Sequence, residues 1–440
     1  MTVFVMVRVI NALLIQCEPS DPSDASQSLA KLQRFGIGLE IIVADKKPDF
    51  SAIEAVPDII ILDAIQAGHH EKLVQVAADL REAKLIENLP VVVVCPISRF
   101  ADFTVDAHLD QRAPANVLAQ KIKHTIRLHS MKAEYKHRFQ TISTFGVATN
   151  EFSDLSNSRS IRLLVAGKGE RYFELAGLFQ GEVQMRSISS FEDARLELES
   201  NSYDCLVIDT VNTSDLTVSA LKDFKFNAKF FNLPVVIFQE GLDKAAQFEF
   251  LQSGGCDLFN LHASAKEVVT HIKTVVEGEF IRKGLLKAFS SDAFLSIKDK
   301  TTGLPSLRFF ERHLERLANQ STAWNQPLTF GIFQVHTMLI ADKEPNDQIV
   351  QNLMRQVGQT IHSLMRAEDI ATYLGDGRFV IATSNTSGLS ISALIGRIGS
   401  VIKMTEFYVG SDASRVDVDS HYFDNSSAKS APEIMQRLYA

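Results

Sequence analysis

Cysteine and tryptophan are scarce in this chain of 440 residues, which has four cysteines and one tryptophan. The cysteines lie far apart and form no close pair: Cys17, Cys95, Cys205 and Cys256. This spacing excludes a disulfide framework or a zinc site and is typical of a protein in the reducing cytoplasm. The 12 histidines also lack the spacing of metal ligands. No metal is expected.

Positive charge and long apolar runs are lacking as well. The formal net charge is -8, which argues against nucleic acid as a partner. The longest apolar runs, such as residues 89–95, have the length of a strand, so no membrane span is expected. Residues 1–16 are apolar but have neither a basic region nor a small-residue cleavage site, which favours a core strand over a signal peptide.

The sequence does contain two copies of a pattern in which short Ile- and Val-rich strands alternate with helical stretches. Continuous apolar strands of this kind predict a parallel sheet that helices cover on both faces, the doubly wound α/β class. The first copy comprises strands at 12–17, 38–43, 58–62 and 91–95 and helices at 26–35, 70–85 and from 113. The second comprises segments at 162–166, 190–200, 205–208 and 235–238 and a helix at 264–286.

In both copies an aspartate follows three apolar residues, at Asp63 and at Asp209. The order of elements and these aspartates resemble the receiver domains of bacterial response regulators. The resemblance implies a flavodoxin-like fold and makes Asp63 and Asp209 the candidate phosphoacceptors. It also implies a homodimer formed through the receiver domains.

Phosphorylation of a receiver needs a magnesium ion, which acidic side chains at the end of the first strand hold. Gln16 and Cys17 stand at this place in the first copy, and Ala166 and Gly167 in the second. Both copies are therefore interpreted as degenerate receivers that serve dimerisation and docking. The alternatives are a phosphorylated aspartate and a carboxylate that only ends a strand.

Residues 373–382 read as an apolar strand, a Gly-rich turn and a second apolar strand, which predicts a β-hairpin. The turn resembles that of diguanylate cyclases, the GGDEF family, whose five residues are Gly-Gly-Asp-Glu-Phe. Here the five places hold Gly375, Asp376, Gly377, Arg378 and Phe379. An opening motif of the family is similar to residues 299–310, where Asp299, Thr302, Gly303 and Leu304 match. The resemblance implies an α+β, nucleotidyl-cyclase-like domain.

The resemblance also implies a loss of catalysis. In this family the metal ligands are an aspartate on the first strand of the domain and the fourth residue of the turn. Gln334 and Arg378 stand at these two places. Because paired metal ions are needed to join two GTP molecules, we expect a degenerate cyclase that is not an enzyme.

Arg366 and Asp369 bound a four-residue segment that ends five residues before the turn, the spacing of the Arg-x-x-Asp site at which the family binds cyclic di-GMP. A guanidinium can donate to guanine or phosphate, and a carboxylate can accept from guanine. The resemblance adds Arg397, which matches a second arginine that some members place against the dinucleotide. The alternatives are an i,i+3 ion pair between Arg366 and Asp369, and a surface arginine at 397.

The predicted organisation is a degenerate receiver at 1–130, a helical connector and linker at 131–158, a second degenerate receiver at 159–287 and a degenerate GGDEF domain at 288–440. The connector helix, 121–144, is rich in charge and is expected to present a solvated face. Residues 150–159 are expected to be a flexible joint. In the tail a strand is expected at 404–410 and a mobile polar segment at 420–430.

The order receiver, receiver, GGDEF resembles the PleD-type response regulators, and the missing metal ligands resemble the PopA-like ones. This implies a cytoplasmic cyclic di-GMP effector, with a cell pole as an expected location. Its implied partners are an RcdA-like adaptor and the ClpXP protease, in control of the cell cycle. Two alternatives stay open: a scaffold that binds no nucleotide, and a residual diguanylate cyclase under phosphorelay control.

Overall fold

The structure of the protein is a computed structural model, which describes residues 10–16, 29–43, 57–64, 71–76, 89–95, 105–111, 113–147, 160–167, 169–179, 183–210, 217–227, 229–238, 249, 257–259, 265–287, 289, 292–324, 326–337, 347–386, 388–409, 412–425 and 430–440. Contacts divide them into two compact units. The N-terminal unit lies within Val9–His129 and Ser156–Phe280, and the C-terminal unit within Ser130–Leu155 and Ile281–Ala440. The domain boundaries given above stay predictions, and the joint at 150–159 lies outside the described residues.

A parallel sheet of five strands forms the first repeat of the N-terminal unit. Its strands are β1 (Ile10–Gln16), β2 (Ile37–Val43), β3 (Ile59–Asp63), β4 (Val91–Cys95) and β5 (Ala107–Asp110), in the order β2-β1-β3-β4-β5. Successive residues of β3 belong to two different core clusters, so the sheet is covered on both faces. A 3-10 segment at Lys31–Phe35 precedes β2, and helix α1 (Ala115–Ser143) follows β5.

The second repeat is another parallel sheet of five strands. Its strands are β6 (Ile161–Ala166), β7 (Val183–Ile188), β8 (Cys205–Asp209), β9 (Val235–Phe238) and β10 (Asp257–Phe259), in the order β10-β9-β8-β6-β7. Its helices are α2 (Glu170–Phe179), α3 (Phe191–Ser200), α4 (Val218–Phe226) and α5 (Ala265–Lys287). Both sheets follow the strand order 2-1-3-4-5 of a doubly wound fold. The predicted class, α/β with parallel sheets, is therefore confirmed.

The two repeats share a hydrogen bond at the start of the first strand. In the first repeat the Asp58 carboxylate accepts from the main-chain N–H of Asn11 at 3.0 Å. In the second, Asp204 accepts from that of Arg162 at 2.9 Å. Each aspartate directly precedes the third strand and is buried, so each provides an acceptor for an N–H that the ladder leaves unpaired. The repeats thus agree in a side-chain contact as well as in topology.

The C-terminal unit contains an antiparallel sheet with the order β12-β13-β11-β16. Apolar side chains form one cluster on each face, and together they hold the helices against the sheet. After the 3-10 segment Asp292–Ile297 the elements are α6 (Leu307–Trp324), β11 (Leu328–Thr337), α7 (Asp347–Leu364), β12 (Ile370–Gly375), β13 (Arg378–Ser384), α8 (Gly388–Met404), β14 (Phe407–Val409), β15 (Asp412–Ser414), β16 (Val416–Asp424) and α9 (Ala431–Tyr439).

Two expectations for the tail change. Residues 420–424 are not a mobile segment, because they belong to β16, which pairs with β11 along its length. The alternation of buried Val416 and Val418 with exposed polar residues explains why this strand can be both polar and ordered. The strand expected at 404–410 is shorter, since Met404 ends α8 and β14 pairs with β15. Among the residues described, no helix is long and apolar enough to cross a membrane.

Candidate functional site

The predicted hairpin consists of β12 and β13, joined by the two residues Asp376 and Gly377. Both have positive φ angles, 48° and 75°, which is the geometry of the tight turns that favour Asp-Gly. The Gly377 carbonyl accepts from Val335 N at 2.9 Å, which holds the turn against β11. A Cβ at Gly377 would collide with the Val335 carbonyl oxygen, so this place requires glycine. Phe379 is fully buried beneath the turn.

Arg378 and Gln334 occupy the two places that the resemblance assigns to metal ligands, and they are cross-strand neighbours on β13 and β11. Arg378 Nε donates to Gln334 Oε1 at 3.3 Å, and Gln334 Nε2 donates to the Asp376 carbonyl at 2.7 Å. Arg378 Nη1 also donates to the carbonyl of Tyr439 at 3.2 Å, in α9. The two side chains therefore bond to each other and to main-chain carbonyls.

Arg366 and Asp369 form a short loop between α7 and β12. The Asp369 carboxylate is 4% exposed and accepts from Arg366 N at 3.1 Å, while Asp369 N donates to the Arg366 carbonyl at 3.2 Å. The Arg366 side chain is exposed, and its guanidinium has no hydrogen bond or ion pair within the described part of the chain. The Arg366 guanidinium is therefore exposed to solvent, and the Asp369 carboxylate is buried.

Arg397 lies on the exposed side of α8. Its Nη2 donates to the Leu364 carbonyl at 2.8 Å, at the last residue of α7. The C-terminal end of a helix carries unpaired carbonyls and partial negative charge, so a cation is stabilised there. Because Leu364 is two residues before Arg366, the structure brings both predicted ligand arginines to one end of α7.

A buried group of charged side chains lies behind this loop, and the sequence did not predict it. Arg138 of α1 is 2% exposed, and its Nη2 donates to the carbonyls of Ala367 at 3.3 Å and Asp369 at 3.2 Å. Its Nε donates to Glu134 Oε1 at 2.8 Å. The prediction that the charged side chains of this helix are solvated is therefore wrong for Glu134 and Arg138, which are buried. The i,i+4 spacing of Glu134 and Arg138 is visible in the sequence, but their burial is not.

Glu134 also contacts the ring of His313, which is fully buried on α6. The His313 Nε2 atom lies 3.1 Å from Glu134 Oε1, and its Nδ1 lies 3.0 Å from the Thr141 hydroxyl. Burial alone would raise the pKa of Glu134, but the charges of His313 and Arg138 outweigh it and hold this pKa at about 2. Glu134 is therefore a carboxylate at neutral pH.

The two candidate phosphoacceptors lie at equivalent places in the two repeats. Asp63 ends β3 and is half-buried, and Asp209 ends β8 and is 4% exposed. Gln16 ends β1, next to β3, and is buried. Cys17, the residue after Gln16, lies outside the described residues. Phosphorylation of either aspartate stays a prediction.

Comparison with known proteins identifies a part of the C-terminal unit. The profile of the family described as "Diguanylate cyclase, GGDEF domain" matches residues 296–430. The chain contains a GGDEF domain. The match includes the hairpin of β12 and β13 and the three candidate ligand residues, Arg366, Asp369 and Arg397.

Over most of its length the chain is distantly similar to "Response regulator PleD" of Caulobacter vibrioides, with 19% identity over 409 residues, which are 90% of this chain and 89% of that protein. Among solved structures, the GGDEF domain of FimX from Pseudomonas aeruginosa has 17% identity and a TM-score of 0.30 and covers 33% of this chain and 90% of its own. The GGDEF domain of DgcB from Caulobacter crescentus, in complex with c-di-GMP, has 14% identity and a TM-score of 0.28 and covers 33% and 88%.

Proposed function

We propose that this protein is a cyclic di-GMP effector whose GGDEF domain binds the dinucleotide at Arg366 and does not synthesise it. The observation that carries the proposal is the contrast between two arginines of the domain. Arg378, in the signature turn, is bonded to Gln334 and to α9. Arg366 holds an exposed guanidinium with no partner among the residues that the structure describes.

The chemistry of Arg366 suits the ligand. A guanidinium has two parallel N–H groups, which match guanine O6 and N7 or two phosphate oxygens. Cyclic di-GMP offers both kinds of acceptor. Arg397 lies beside the same end of α7 and adds a second positive charge against an anionic ligand. In this structure the Asp369 carboxylate accepts a hydrogen bond from the main-chain N–H of Arg366 and so holds the loop. For the same carboxylate to accept a hydrogen bond from guanine, the loop has to shift.

The contacts of Arg378 support the loss of cyclase activity. A magnesium ion at the turn would need anionic oxygens, whereas this place holds a guanidinium and an amide that bond to each other. Coulomb repulsion between Arg378 and a divalent cation opposes binding further. Without paired metal ions the 3′-hydroxyl of one GTP is not activated and the triphosphate of the other is not clamped.

The two parallel-sheet repeats then act as degenerate receivers that dimerise the chain and bind partners. This part of the proposal rests on the resemblance and on the distant similarity to PleD. By analogy with PopA, the partners are an RcdA-like adaptor and the ClpXP protease, in cell-cycle control in the cytoplasm and at a cell pole. Fold-level similarity alone supports these partners, since no side chain described above specifies them.

Calorimetry with cyclic di-GMP on the full chain tests the proposal. Loss of a hydrogen-bonded charge is worth about 1.5–3 kcal/mol, so Arg366→Ala should weaken binding about 10- to 100-fold. Arg355→Ala is a matched control, because Arg355 is an exposed arginine of α7 whose only hydrogen bond within the described residues is to Asn352 of the same helix. Product from GTP and magnesium, followed by chromatography, should be absent. Equal binding by the Arg366 variant and the wild type would contradict the proposed site.

A scaffold that binds no nucleotide is the second candidate. It is favoured by the bonds that Asp369 and Arg397 already make to the main chain, since these side chains then have a purely structural role. The same calorimetry separates the two candidates, because a scaffold of this kind gives no binding heat with the wild-type protein.

A further inference from the structure

We infer that Arg138, on the buried side of helix α1, is a positioning residue that sets the Arg366–Asp369 loop for its ligand. The inference rests on the proposed ligand site and adds a residue that lies outside the GGDEF match. Arg138 and the loop both belong to the C-terminal unit, which includes residues 130–143 of α1.

The contacts of Arg138 are concentrated on the main chain of the loop. One nitrogen, Nη2, donates to the carbonyls of both Ala367 and Asp369, at 3.3 and 3.2 Å. The other terminal nitrogen, Nη1, donates to the Leu285 carbonyl at 3.0 Å. The planar guanidinium therefore fixes the distance between the loop and the end of α5. A lysine cannot reproduce this, because it presents a point charge instead of a rigid fork.

The orientation of Arg138 is itself fixed from two sides. Glu134 accepts from its Nε and contacts its Nη2 at 2.7 Å, and His313 Nε2 in turn lies 3.1 and 3.2 Å from the two Glu134 oxygens. The Phe289 ring lies 5.2 Å from the guanidinium carbon. A buried charge needs such partners, because leaving it unpaired is strongly unfavourable. The result is a guanidinium with a single arrangement.

This arrangement determines which loop residues face outward. The carbonyls of Ala367 and Asp369 point to Arg138, and both residues are buried. Arg366, at the start of the same turn, is left with its side chain in solvent. If Arg138 is replaced, each of these two buried carbonyls loses a hydrogen-bond donor, and a turn of the loop is the way to restore one. The Arg366 guanidinium then loses the position that it needs for a bidentate contact.

Binding measurements on the full chain test the inference. Arg138→Lys and the double variant Arg138→Met, Glu134→Gln are titrated with cyclic di-GMP, and the double variant removes the opposite charges of this pair together. We expect dissociation constants at least about tenfold above the wild type, within the usual range of coupling between sites. Arg316→Met is the control. Arg316, on α6, donates to Gln140 of α1, the helix that carries Arg138, and within the described residues it has no hydrogen bond to the loop.

The titration separates a positioning role from a merely structural one. If Arg138 only stabilises the fold, fewer molecules bind and the stoichiometry falls, while the dissociation constant of those that bind is unchanged. That result, or an unchanged constant with full stoichiometry, overturns the inference and leaves the proposed ligand site intact. No binding by the wild type overturns both.

Hydrogen exchange on the wild type gives a second test that needs no variant. Because coupling is reciprocal, bound ligand should slow the exchange of amides in 134–141 of α1 as well as in 366–369. Protection of 366–369 alone, with no change in 134–141, would show that the loop binds its ligand without Arg138 and would overturn the inference even if every Arg138 variant failed to fold.

Discussion

The pH dependence of stability gives the sharpest test of the buried Glu134 carboxylate. Its pKa is about 2 in the folded protein and 4.5 when the group is unperturbed, as in the unfolded chain. A carboxyl whose folded pKa is depressed stabilises the protein above its unfolded pKa, and this stabilisation is lost as the pH falls through the folded pKa. A difference of this size is worth about 3 kcal/mol at pH 7, of which about 2 kcal/mol is lost by pH 3.

The variant that isolates this effect is Glu134→Gln, which keeps the shape of the side chain and one acceptor oxygen and removes the titration. The free energy of unfolding of the C-terminal unit is measured by urea titration between pH 7 and pH 3. Trp324 is the only tryptophan of the chain and lies at the end of α6, so its fluorescence reports on this unit alone. Fluorescence also avoids the mixed signal that a chain of several domains gives in circular dichroism.

We expect the variant to be less stable than the wild type at pH 7 and the difference between them to shrink by about 2 kcal/mol at pH 3. The control is Glu315→Gln on the same helix as His313. Among the described residues Glu315 makes only an exposed pair with Arg312 at 3.2 Å, and such pairs contribute little. If the difference in free energy of unfolding between Glu134→Gln and the wild type stays constant from pH 7 to pH 3, the conclusion that Glu134 is a buried carboxylate is wrong.

Three further predictions concern stability and local order. Gly377→Ala should destabilise the C-terminal unit by more than the roughly 1–3 kcal/mol that a positive φ angle costs, because the added Cβ collides with Val335. Gly375→Ala is the control, since a Cβ there meets open space and only the backbone effect is expected. Trp324 fluorescence in urea measures the stability of both variants. Asp204→Ala removes the buried acceptor at the start of β6 and should lower the stability of the second repeat by about 1–3 kcal/mol. Faster hydrogen exchange in 161–166 checks this, and unchanged Trp324 fluorescence in urea is the internal control. Arg378→Met should speed hydrogen exchange in 431–439, since α9 loses a donor to its last carbonyls, and unchanged exchange would contradict that contact.

The sequence predicts the central strands of both repeats because they are uninterrupted apolar runs, and β4 and β9 have the predicted bounds. It misses β7, whose side chains are all at least partly exposed, because a sheet-edge strand has no continuous apolar run. The short strands β5 and β10 are missed for the same reason, since each lies at an edge of its sheet. Strands at a sheet edge can therefore lack this hydrophobic signal, although β2, also at an edge, has it and is predicted.

In the candidate site the hairpin is predictable because Asp-Gly between apolar strands specifies a tight turn. The exposed Arg366 lies where spacing from this turn suggests a ligand residue, although its role stays a prediction. The contacts of Arg138 could not be predicted. They join residues more than 200 positions apart in the sequence, and the helix that carries Arg138 has the composition of a solvated one.

The place of β11 in its sheet has a consequence for how the protein is made. This strand lies between β13 and β16 in the sheet, but in the sequence β11 ends at Thr337 and β16 begins only at Val416. While the ribosome is still translating the intervening residues, one edge of β11 has no partner, and its sequence, residues 328–337, is mostly apolar. An open apolar edge is a site of aggregation, so nascent chains that stop before residue 416 should need chaperones or be degraded.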